Sequence, residues 1–148
     1  KYVGEFKDDD FHGLGTYIFR DGDVFQGYFQ NGKWNGLGIY IFGSNGTSKG
    51  DVRLGVYHDG TINGEGVYLF NSDGEWAGDI FAGNHEEGLA EGLGAYFYSD
   101  GAKYIGLYGN DVQNGPGMLY FADGTNQAGI WEDGEMQNPV NPDARVSP

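Results

Sequence analysis

With 148 residues and no cysteine, the chain is long enough for one domain or for several small repeats on a shared core, and it can build neither a disulfide framework nor a thiolate metal site. A formal net charge of −14, from 8 Lys and Arg against 22 Asp and Glu, argues against nucleic acid and anionic membrane lipid, which are bound through excess basic residues. Twenty-nine glycines without the three-residue period of collagen, beside 16% aromatics, describe a folded chain rather than a flexible linker.

Residues 2 to 22, YVGEFKDDDFHGLGTYIFRDG, set the pattern that the chain repeats. An aromatic-x-Gly start recurs as Tyr2-Val3-Gly4, Phe25-Gln26-Gly27, Trp76-Ala77-Gly78 and Tyr104-Ile105-Gly106, with degenerate copies at Arg53-Leu54-Gly55 and Gln127-Ala128-Gly129. Gly-x-Gly pairs follow at 13/15, 36/38, 64/66, 92/94 and 115/117, nine residues after the first Gly in an intact copy. On this reading the first glycines are spaced 23, 28, 23, 28 and 23, a paired arrangement with its two five-residue insertions at different places, GSNGTSKGDVR and the loop AGNHEEGLAEG. The sixth copy has Asn138 in place of a paired Gly, then Pro139 and Pro142, and reads as a terminal half repeat. The organisation expected is a repeat domain over 1–138, with copies starting near 2, 25, 53, 76, 104 and 127, and a Pro-rich tail over 139–148.

Within the copies, GTYIF (15–19), GIYIF (38–42), GVYLF (66–70), GAYFY (94–98) and GMLYF (117–121) are short runs rich in aromatic and β-branched residues. Turn signals close them at Arg20-Asp21-Gly22, Ser44-Asn45-Gly46, Ser72-Asp73-Gly74, Ser99-Asp100-Gly101 and Ala122-Asp123-Gly124. Two strands per copy predict an all-β antiparallel meander of about a dozen strands. Strand alternation collects Tyr2, Gly4 and Phe6 with Gly13, Gly15, Tyr17 and Phe19 on one face, and Val3, Glu5, Leu14, Thr16 and Ile18 on the other. A bare glycine weakens a strand, and a ring from a neighbouring strand covers it.

Aromatic-x-Gly followed by Gly-x-Gly-x-Tyr and an Asp-Gly turn, over residues 2 to about 138, closely resembles the MORN (membrane occupation and recognition nexus) repeat. The resemblance implies hairpins stacked into one elongated, twisted, single-layer antiparallel sheet with a concave, aromatic-rich groove. Departures from the pattern fall at Arg53 and Gln127 for the leading aromatic, Ile80 for the second aromatic and Leu119 for the tyrosine after the last Gly pair.

Catalytic motifs are absent: there is no His-Glu-x-x-His, no Gly-x-Ser-x-Gly elbow and no P-loop. His12, His58 and His85 read as turn or loop residues, with Asn84-His85-Glu86-Glu87-Gly88 as a solvated insertion. Asp8-Asp9-Asp10 and Glu132-Asp133-Gly134-Glu135 lack EF-hand spacing and read as turn chemistry ahead of calcium binding. A glycosidase would need two acids at fixed separation, and no such pair stands out. Asn45-Gly46-Thr47 fits a glycosylation sequon but is first a hairpin turn.

The expectation is therefore a non-enzymatic protein-interaction scaffold without cofactor or metal. A sheet of about a dozen strands at ~4.8 Å spacing is roughly 55 Å long, enough for an extended peptide, a helix or a basic protein partner. Phe6, Tyr17, Phe29, Tyr40, Tyr57, Tyr68, Tyr96 and Tyr108 are the groove candidates. The family name points alternatively to phospholipid or membrane recognition, which the charge opposes. MORN-like repeats also precede catalytic domains such as methyltransferases and lipid kinases, so an accessory substrate-docking role is a third reading. An end strand offers a route to a homodimer by edge pairing.

Overall fold

The computed structural model describes residues 1–43 and 46–137, which form one antiparallel sheet whose twelve strands lie side by side in chain order. They are β1 Tyr2–Lys7, β2 Asp10–Ile18, β3 Val24–Gln30, β4 Lys33–Ile41, β5 Val52–His58, β6 Thr61–Leu69, β7 Ile80–Glu86, β8 Leu89–Phe97, β9 Lys103–Gly109, β10 Val112–Tyr120, β11 Asn126–Glu132 and β12 Glu135–Gln137. The Ser44-Asn45 turn and sequon positions, Asn138 and the Pro-rich tail lie outside the described residues.

The register places one glycine of every strand from β1 to β11 in a single row: Gly4, Gly15, Gly27, Gly38, Gly55, Gly66, Gly83, Gly94, Gly106, Gly117 and Gly129 are successive cross-strand partners. Rings lie over that row. A Cβ at Gly15 would fall 2.3 Å from the Tyr2 hydroxyl, one at Gly38 2.4 Å from the Phe25 ring, and one at Gly117 2.5 Å from the Tyr104 ring. Thus the leading aromatics Tyr2, Phe25, Phe81 and Tyr104 fold back over the glycines of their own hairpins. In the third copy, where Arg53 stands in place of a ring, the Ile62 side chain covers Gly55 and Gly66 instead.

The first Gly of each Gly-x-Gly pair has a different task. Within each of the first five hairpins the register shifts at this level, and Gly36 and Gly64 sit at φ 111°, open to glycine and strained for any other residue. Hairpin turns are two residues long with both residues left-handed, as at Asp8-Asp9, Asn31-Gly32 and Asp59-Gly60, which suits the twist of the flanking strands. Each turn also ties its hairpin to the one before. The amides of Gly32, Gly60, Gly88, Asp111 and Gly134 donate to the carbonyls of Phe11, Trp34, Ile62, Ala90 and Gln113 at 2.9–3.1 Å.

The register corrects the sequence reading of the fourth copy. Phe81-Ala82-Gly83 on β7 is its aromatic-x-Gly start, and Trp76-Ala77-Gly78 belongs to the loop before it. That loop has the same closing hydrogen bonds as the loop after β4: Phe42 and Gly50 correspond to Phe70 and Gly78, with Gly50 N donating to Phe42 O and Gly78 N to Phe70 O. The row glycines 4, 27, 55, 83, 106 and 129 are therefore spaced 23, 28, 28, 23 and 23, and both five-residue insertions occupy the same position. The residue at the second aromatic position of copy four is His85, not Ile80, and it is buried on β7 rather than solvated in a loop.

Buried side chains gather on the ring-bearing face in two clusters. Phe25, Phe29, Tyr57 and Ile62 form one, and Phe81, Ala90, Tyr104, Tyr108 and Trp131 the other. The opposite face is aliphatic, with Val3, Leu14, Leu37, Leu54, Leu93 and Ile130 all exposed.

A side chain in the glycine row meets backbone as well as rings. A Cβ at Gly27 would lie 2.6 Å from both the Gly38 Cα and the Leu37 carbonyl oxygen, so Gly27→Ala is expected to cost about 1–3 kcal/mol in urea unfolding. Gly74→Ala, whose nearest neighbour is the Ser72 hydroxyl at 3.6 Å, should stay within about 0.5 kcal/mol of the parent.

Candidate functional site

The eight groove candidates divide into three environments. Phe29, Tyr57 and Tyr108 are buried among other rings, at 4%, 0% and 6% exposure, and present no free face. Phe6 lies on the outermost strand and is 61% exposed, edge-on to Tyr2 and Phe11. Tyr17, Tyr40, Tyr68 and Tyr96 are half-buried at one margin of the sheet.

Those four tyrosines belong to a continuous ladder. Each packs on the ring two residues later, Tyr17 on Phe19, Tyr40 on Phe42, Tyr68 on Phe70 and Tyr96 on Tyr98, with centroids 4.5–4.9 Å apart. Each of the first three pairs then meets the next tyrosine at 5.7–5.9 Å. Eight half-buried rings thus run along the margin in tilted and edge-to-face contact, the geometry that aromatic pairs favour. Phe19, Phe42, Phe70 and Tyr98 were not among the sequence candidates. The Tyr-x-aromatic spacing after every one of the first four Gly-x-Gly pairs was the signal that would have found them.

Three tyrosines of the ladder are pinned by carboxylates. The Tyr68 hydroxyl donates to Asp51 Oδ2 at 2.9 Å while Asp51 Oδ1 accepts from Ser72 N at 2.7 Å. Asp79 takes the Tyr96 hydroxyl at 2.7 Å and Ser99 N at 2.7 Å. Asp23 takes the Tyr40 hydroxyl and Gly43 N. Each Asp precedes an odd-numbered strand, and its tyrosine stands seventeen residues further on. In the next copy Ala102 and Leu119 occupy the two positions, so donor and acceptor are lost together and neither is left unpaired. Asp51 and Asp79 are buried, and these bonds satisfy them.

Burial and the adjacent carboxylates hold these phenols in the neutral form. Burial first, then the Asp51 hydrogen bond, pushes Tyr68 up to about 12, and the same causes raise Tyr40 and Tyr96 further. His85 moves the other way: burial lowers its pKa, so the ring is neutral at physiological pH. Among the described residues, no group of three or more His, Asp or Glu is arranged to hold a metal ion. Asp133-Gly134 is the β11–β12 hairpin turn, and Asp21, Asp100 and Asp123 accept hydrogen bonds from backbone amides two residues on, as turn aspartates do.

On the aliphatic face, an open apolar depression of about 550 Å³ crosses β4 to β9. Leu37, Leu54, Val67, Ala82, Leu93 and Ile105 are among the residues that line it. Leu37 and Leu93 are 62% and 61% exposed. The small alanines on β7 and β8 stand where β4 and β9 carry Ile39 and Ile105, and this difference in size makes the hollow.

A tyrosine whose proton is held more tightly in the folded chain contributes stability that is complete below its unfolded pKa of 10.0 and is lost as pH rises toward the folded value of about 12. Unfolding free energy should therefore fall across that alkaline window. Tyr68→Phe should flatten the fall and, at neutral pH, cost about 1–2 kcal/mol through the lost bond to Asp51, read from urea melts at several pH values.

No curated protein matches the chain. A model of the MORN repeat family matches it five times in succession, over residues 2–24, 25–47, 55–75, 81–103 and 104–126. The fourth match begins at Phe81, in agreement with the structural register. Glycine row and hairpin meander extend through all five matches, and the chain belongs to the MORN repeat family.

Proposed function

We propose that the chain is a non-enzymatic protein-interaction scaffold whose partner presents an apolar helix flanked by Lys and Arg. The observation that carries this reading is the uncovered aliphatic face. Large exposed apolar patches mark interaction surfaces, and the depression from Leu37 on β4 to Ile105 on β9 offers a continuous strip across six strands. Six strands at ~4.8 Å extend about 24 Å between the outer two, the length of roughly four helical turns. A net charge of −14 favours a basic partner by steering and opposes an anionic membrane. MORN repeats serve protein or membrane binding as a family, and the charge favours the former here.

The half-exposed ring ladder supports a second docking surface, the aromatic, acidic-rimmed groove. Tyr17, Tyr40, Tyr68 and Tyr96 with their following rings would supply its contact area, and Asp23, Asp51 and Asp79 lie along its margin. In a larger protein either surface could dock the substrate of an attached catalytic domain.

A fluorescent amphipathic Leu/Lys helix is the probe. Anisotropy should show binding that weakens with salt, as a charge-steered complex does. Leu37→Asp/Leu93→Asp should reduce affinity at least about tenfold, and Tyr40→Ala/Tyr68→Ala should change it less. The reverse order of effects would transfer the reading to the ring ladder. Flotation with anionic liposomes at equal strength in both variants and the parent would favour the membrane reading instead.

A further inference from the structure

The departures of this chain from its own repeat converge on one place. Arg53 on β5 replaces a leading ring, His85 on β7 replaces a second ring, and Ala90 on β8 occupies the position that holds Trp34 in the second hairpin and Ile62 in the third. In the second hairpin the equivalent side chains fill the space, with Trp34 stacked on Phe25 at 4.2 Å. In the fourth they leave a cavity of about 270 Å³, lined by Arg53, Phe81, His85, Ala90 and Tyr108 among others. It lies where the two buried clusters are interrupted.

Tyr68, Tyr96 and Asp111 have hydrogen-bond partners, and other polar groups there do not. Of the cavity-lining atoms, Arg53 Nε, His85 Nδ1 and the Tyr108 hydroxyl are buried without a well-formed hydrogen bond. His85 and Tyr108 are only 7% and 6% exposed, and both line the cavity. The Arg53 guanidinium lies 5.8–6.0 Å from the Tyr40, Phe42 and Tyr57 ring centres, and the single ion pair among the described residues joins Lys33 to Asp59 elsewhere. Buried polar groups ordinarily have partners, so several unpaired ones around one cavity point to a ligand that supplies them.

We propose that this cavity binds a carboxylate carried on an apolar body, with Arg53 as its counter-ion, Tyr108 and His85 as hydrogen-bond partners, and Phe81 with the neighbouring ring ladder as walls. A single negative charge fits better than a phosphate. Asp111 lines the cavity and Asp51 and Asp79 are bonded to its Tyr68 and Tyr96, so a second ligand charge would be repelled. The volume is that of one side chain or small acid, below the range of drug-sized pockets. This site is independent of the aliphatic docking face proposed above and shares Tyr68, Phe70 and Tyr96 with the ring ladder.

Titration of the 148-residue chain with phenylacetate, followed by the His85 imidazole NMR signals and by calorimetry, tests the assignment. Phenylacetamide is the neutral control, and a short peptide ending in a free phenylalanine carboxylate, beside its amide, is the second arm. Phenylacetate should bind and phenylacetamide should not. Arg53→Gln should weaken binding about tenfold or more, the scale of a lost charge-assisted bond. Ala90→Ile should abolish binding while leaving thermal stability intact, because it restores the residue that the third hairpin carries at this position. Tighter binding of the peptide acid would make the ligand a polypeptide terminus, and tighter binding of phenylacetate a free small acid. Failure of both acids to bind, equal binding of the amides, or affinity unchanged in Arg53→Gln would overturn the proposal.

Discussion

The contact between a ring and a bare glycine two residues along the strand, and its neighbour across the sheet, is the constraint on which this molecule rests. A single-layer sheet has no second layer to cover its backbone, so the cover must come from within the strands. Tyr2, Phe25, Phe81 and Tyr104 supply it by lying flat over the row, and this requires that the row have no side chains. Large and small residues are thus halves of one packing unit, and the repeat is that unit copied.

One consequence is a strong asymmetry between the two faces. Rings of the covered face spend their area on each other and on the glycines, which is why Phe29, Tyr57 and Tyr108 are inaccessible. Nothing comparable shields Leu37, Leu54, Leu93 and Ile105 on the other side, and solubility is left to the acidic residues of the turns and margins. An acidic chain with an apolar sheet face can remain dispersed while still offering that face to a complementary surface.

Much of this was legible in the residues. Period, turn chemistry and face assignment followed from glycine spacing and strand alternation, and the rings over glycines are where that alternation put them. The fourth copy was misplaced because Trp76-Ala77-Gly78 imitates an aromatic-x-Gly start. Distance to the Gly-x-Gly pair separates the two: Gly83 precedes Gly92 by the usual nine residues and Gly78 does not. With that slip His85 looked like a loop residue. Depth was not legible at all, since alternation says which face a ring occupies and not whether a neighbour lies over it. Tyr40 and Tyr57 share a face, yet one is at the margin and the other beneath Phe25 and Trp34. The Asp–Tyr pairs were visible as a seventeen-residue spacing, but only the folded loops show that the two residues meet.

Those pairs also divide the sheet mechanically. Asp23, Asp51 and Asp79 rivet each inter-hairpin loop to the next along one margin from β3 to β8, and the series stops where Ala102 and Leu119 replace the Asp and the Tyr. Torsion applied to the molecule is therefore resisted unevenly: the riveted stretch holds its pitch, while the hairpins beyond β8 lack the rivet and are coupled by the strand ladder, ring contacts and turn bonds such as those of Asp111 and Gly134. The sheet therefore presents a fixed pitch at one end and an adjustable pitch at the other to whatever lies along it.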